Sequence, residues 1–66
     1  MRLILNGEAR LIDQVTDIAG LISLLSLDAR KVAIERNRVI VPRSQWSVTA
    51  LLEGDNIEIV HFVGGG

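Results

Sequence analysis

Few side chains in this sequence are placed to do chemistry on their own. The single histidine, His61, has no cysteine or carboxylate near it at metal-ligand or acid–base spacing. It reads as an ordinary strand residue. Ser23, Ser26, Ser44 and Ser47 have no second histidine to activate any of them. Glu53 and Asp55 flank Gly54, a pattern most simply explained as solvated turn chemistry. No glycine-rich loop follows a strand and opens a helix, so no internal phosphate cradle is indicated. The chain has no cysteine, which excludes a disulfide framework, a thiolate metal site and a cysteine nucleophile.

What remains is the terminal run Val63-Gly64-Gly65-Gly66. Its bland reading is a frayed end or a cloning scar. Its functional reading starts from Gly66, whose carboxylate is ionised at neutral pH and therefore a poor electrophile. Activation requires that it enter a partner's site and attack the α-phosphorus of ATP. Glycine suits that task because it presents no side chain to a narrow channel and tolerates any φ. Three residues span about 10 Å, enough to reach into a neighbouring protein.

The elements that must hold this tail are legible from pattern. Met1 to Leu5 reads as a strand ending at Asn6-Gly7, a hairpin signal, with a second strand from Ala9 to Ile12. A two-residue loop puts Leu5 opposite Glu8 and Leu3 opposite Arg10. A bulged three-residue loop puts Leu5 opposite Ala9 and Leu3 opposite Leu11, giving one apolar face, and is the predicted form. Ile18, Leu21, Ile22 and Leu25 fall at helical spacing, with Thr16 as predicted N-cap and Asp17 in the first turn. Gly20 inside that helix costs about 1 kcal/mol, and the helix is expected to end near Ser26 or Leu27.

Val32 and Ile34 alternate on the next strand, Asn37-Arg38 turns, and Val39-Ile40-Val41 is a short strand stopped by Pro42. The stretch from Arg43 to Leu52 is compatible with a single helical turn. Glu53-Gly54-Asp55-Asn56 turns into a last strand from Ile57 to Val63. With first and last strands adjacent and parallel, this order predicts an α+β fold of the β-grasp, ubiquitin-like kind. Four to five strands form a mixed sheet, with one main helix packed on one face. Residues 1–63 form the domain and 64–66 a flexible tail. Met1, Leu3, Leu5, Ile57 and Ile59 are expected beneath the helix. Ile4, Val60 and Phe62 fall on the open face, where they read either as scattered surface hydrophobes or as a partner-binding patch next to Gly64 and Gly65.

Bulk properties set the remaining bounds. Sixty-six residues make one domain, and 48% apolar content excludes a disordered chain. No apolar run approaches the roughly 20 residues of a membrane span, and no leader pattern opens the chain. A cytoplasmic location follows as the default. Net charge is −1 without a basic stripe, which argues against nucleic-acid binding.

Taken in order, Asn6-Gly7, Val39-Ile40-Val41-Pro42-Arg43 with Trp46, Leu52-Glu53-Gly54-Asp55 and the terminal Val63-Gly64-Gly65-Gly66 resemble the sulfur carrier of thiamine thiazole biosynthesis, the ThiS family. The resemblance spans essentially the whole chain. It implies that a ubiquitin-activating-type adenylyltransferase uses ATP to adenylate Gly66, with Gly65 and Gly66 as the essential pair. Sulfur from a cysteine desulfurase then forms a thiocarboxylate, and thiazole synthase consumes it. The chain itself would be a cosubstrate, with no bound cofactor or metal and no enzymatic activity. Two alternatives stay open: the small subunit of molybdopterin synthase, and a ubiquitin-like modifier or interaction module. Pro42, Arg43 and Trp46 read as either functional or structural, with Trp46 favoured as a core residue.

Overall fold

A computed structural model describes residues 1–62. Five strands, β1 (Arg2–Leu5), β2 (Glu8–Leu11), β3 (Val32–Arg36), β4 (Val39–Val41) and β5 (Asn56–His61), form one mixed sheet. The order across it is β2-β1-β5-β3-β4. β1 and β5 are parallel, and the other neighbours are antiparallel. One helix, α1 (Ile18–Leu24), packs on one face, and two 3₁₀ segments cover Ala29–Lys31 and Arg43–Val48. This is the expected β-grasp. The domain boundary after Val63 lies outside the described residues.

Alternation places Leu3, Leu5, Val32, Ile34 and Ile57 against α1, where Ile18, Leu21 and Ile22 meet them. Leu3, Ile18, Leu21, Ile34 and Ile57 are the fully buried centre. Met1 and Ile59 lie only partly buried at its margin. Trp46 is also core: it is 4% exposed, and its indole N–H donates to the Val41 carbonyl at 2.8 Å. Among the described residues no helix is long and apolar enough to cross a membrane.

Two local expectations are corrected. The β1–β2 loop is the two-residue form, pairing Leu5 with Glu8 and Leu3 with Arg10. Asn6 and Gly7 have φ of +47° and +84°, the left-handed pair that closes a hairpin tightly. Turn chemistry prevails because β2 is an edge strand that is exposed throughout, so no buried face dictates its register. Leu11 is left 81% exposed as a result. The helix cap is Asp17, not Thr16: its Oδ1 accepts from the Gly20 N–H at 2.7 Å. Thr16 lies before the cap, with its carbonyl accepting from the Leu51 N–H. A Cβ at residue 20 would lie 3.3 Å from that Asp17 oxygen and 3.4 Å from Val15, so Gly20 makes room for the cap.

The helix also ends earlier than expected, at Leu24. Ser26 adopts φ +57°, its N–H donates to Ser23, and the Leu27 N–H reaches back to Ile22. That double bond pattern satisfies the last carbonyls and stops the helix.

Candidate functional site

The tail is launched from β5, a strand flanked by β1 on one side and β3 on the other. Along β3 the two strands pair from Arg36–Ile57 to Val32–His61, and the Phe62 N–H still donates to the Lys31 carbonyl at 2.8 Å. Thus β5 is anchored to the last described residue. On its other side, β1 ends at Leu5, opposite Ile57. The next position is served by Asn6: its side-chain Oδ1 accepts from the Ile59 N–H at 2.7 Å, and its Nδ2 donates to the Ile59 carbonyl at 3.3 Å. An amide side chain so stands in for one more residue of strand. Sequence reading took Asn6 for a turn former only, because its partner is 53 residues away.

Val60 and Phe62 occupy the open face as expected, 49% and 57% exposed. Val60 lies opposite Ala33. Ile4 shares that face but is half-buried and level with Asn56, four residues back along β5 or about 13 Å. Glu58 intervenes, opposite Glu35, and neither carboxylate makes an ion pair among the described residues. Beside them β4 contributes Ile40, paired with Glu35 and 71% exposed. The tail end of the open face is therefore Val60, Phe62, Ala33 and Ile40 around two carboxylates, with Ile4 outside it. Gly64, Gly65 and Gly66 lie outside the described residues.

On the helix side, His61 is exposed and borders a cleft of about 320 Å³ with Leu5, Asn6, Glu8, Arg10, Leu25, Leu27 and Ile59. Among the described residues no group of three or more His, Asp or Glu side chains is spaced to share a metal ion. Among the described residues the one buried ionisable side chain, Asp55, sits at the opposite end of β5. Burial pushes its carboxyl up, but hydrogen bonds from Arg36, Asn37 and the Leu52 N–H outweigh that and hold it below the usual carboxylate range. It is fully engaged in structure.

Comparison with known proteins places the chain by family and fold. The ThiS family matches residues 3–66. A thiazole synthase of Paramagnetospirillum magneticum is 46% identical over all 66 residues, and the chain spans only 20% of that protein's length. The sulfur carrier protein ThiS of Bacillus subtilis is 41% identical over 49 residues, 74% of each chain. The crystal structure of the thiamine biosynthesis protein ThiS from Geobacter metallireducens superposes with a TM-score of 0.86 at 30% identity, covering 100% of both chains. The chain belongs to the ThiS family.

Proposed function

We propose that this chain carries sulfur on the carboxylate of Gly66 for thiazole formation in thiamine biosynthesis, acting in the cytoplasm as a cosubstrate rather than a catalyst. The observation that carries the reading is the family match running through Gly66, joined to a strand anchored as far as Phe62. In an adenylating partner, a Gly66 oxygen attacks the α-phosphorus of ATP, pyrophosphate leaves, and an acyl adenylate results. Hydrosulfide then displaces AMP to give the thiocarboxylate. If sulfur arrives instead as a desulfurase persulfide, a partner thiol must cleave the resulting acyl disulfide, since this chain has no cysteine. A thiazole synthase takes the sulfur; the relatives that contain a similar stretch within a thiazole synthase support that partner.

Intact-mass measurement after incubation with ATP, the adenylating enzyme and a sulfur donor tests this. Exchange of one terminal oxygen for sulfur is expected, and deletion of Gly66 abolishes it. An unchanged wild-type mass beside an adenylating enzyme proven active on another carrier counts against the reading. An isopeptide ladder on lysines in cell extract would indicate a modifier instead.

A further inference from the structure

We infer that β5 offers an open strand edge at His61 which takes an extended segment of a thiazole synthase as a sixth strand, a docking mode that rests on the sulfur-carrier reading. The hydrogen-bonding parity of β5 sets this up. Asn56 and Phe62 bond toward the β3 side, through Asn37 N–H to Asn56 and Phe62 N–H to Lys31. Residues 57, 59 and 61 consequently turn their peptide groups the other way, since successive residues of a strand alternate. The Ile57 carbonyl is taken by the Asn6 N–H, and both peptide groups of Ile59 by the Asn6 side chain. At His61 the row runs out: its N–H and carbonyl have no partner among the described residues.

An exposed peptide donor and acceptor in extended conformation match one ligand chemistry best, another extended backbone. Natural proteins ordinarily cover or blunt such an edge. Here Asn6 covers it at Ile59, and no described residue covers the next rung. Side chains of an added strand alternate, and those on the helix side fall over the cleft between Leu25, Leu27, Ile59 and the charged Glu8 and Arg10. Mixed lining suits an amphipathic segment. The rung also lies one residue before Phe62, the last described residue, so strand addition there fixes the base from which the chain continues to Gly66. A thiazole synthase is named as occupant because relatives join it to a stretch like this one in a single chain.

His61→Pro is the discriminating variant. It deletes the outward N–H while removing no bond to β3, and proline is tolerated where a strand N–H faces solvent. His61→Ala keeps the N–H and loses only the ring. Titrated calorimetrically against a purified thiazole synthase, His61→Pro is expected to bind roughly tenfold more weakly, and His61→Ala within a factor of about two of wild type. Equal binding by His61→Pro, or an equal loss in His61→Ala, overturns the proposal. Should His61→Pro disturb the fold, amide exchange of wild-type His61 decides: slowing under saturating synthase is expected, and an unchanged rate refutes strand addition. The mass exchange at Gly66 does not involve this edge, so a carrier that accepts sulfur but shows no protection at His61 defeats this inference alone.

Discussion

Asp55 makes four hydrogen bonds that tie together two turns 19 residues apart in sequence. Its oxygens accept from Arg36 Nε at 2.8 Å, Arg36 Nη2 at 3.4 Å, Asn37 Nδ2 at 3.0 Å and the Leu52 N–H at 2.8 Å. Asn37 completes the tie by accepting from the Asn56 N–H. Removing the carboxylate strands these donors, so Asp55→Ala is expected to cost about 2–3 kcal/mol in urea unfolding. The pH dependence follows from the depressed carboxyl. Its contribution is complete above the unfolded value of about 4 and is lost as pH falls through the lower folded value. Wild type is accordingly expected to lose stability below about pH 4, and Asp55→Asn to show a shallower loss there. Sequence reading saw Glu53-Gly54-Asp55 as a solvated turn. The turn was legible because Gly54 and its neighbours signal it locally; the guanidinium that makes Asp55 a buried anchor comes from another strand and leaves no local trace.

Hairpins and helix ends show how competing local signals are settled. Asn6-Gly7 carried two registers, and the choice made on apolar alternation fails because β2 lies at the sheet edge, beyond the cover of the helix. The alternation of β1, β3 and β5 was readable because those strands do lie under α1. At the helix C-terminus, Ser26 holds a left-handed conformation that disfavours a residue with a Cβ. Ser26→Gly is therefore expected to raise stability by about 0.5–1 kcal/mol, visible as a higher melting temperature. A lower melting temperature would show that the Ser26 side chain contributes more than its backbone strain costs. On the open face, Glu35 opposite Glu58 is a like-charge pair that weakens the β3–β5 ladder. Glu58→Lys should add about 0.5 kcal/mol of stability while weakening a partner that presents basic groups. Loss of stability in Glu58→Lys would show that the pair is not repulsive in the fold.

For the molecule as a whole, the β-grasp was recoverable because element order, turn positions and the parallel first and last strands are all sequence-local or follow from packing one helix on one sheet. The open-face trio was only partly recoverable. Face assignment follows from parity, but position along the sheet depends on the β1–β5 register, which moves Ile4 about 13 Å from Val60. Phe62→Asp tests the tail-side patch: it is expected to weaken partner binding at least about tenfold with an unchanged circular dichroism spectrum. Loss of the spectrum would mean that Phe62 serves the fold instead. Finally, placing β5 between two neighbours has a mechanical consequence. Traction at the C-terminal end of β5 runs lengthwise along the strand, so its hydrogen bonds to β3, and further in to β1, are loaded in shear rather than peeled one by one. A pull on that end of the domain is thus met by many rungs at once, which resists unravelling better than an edge strand would.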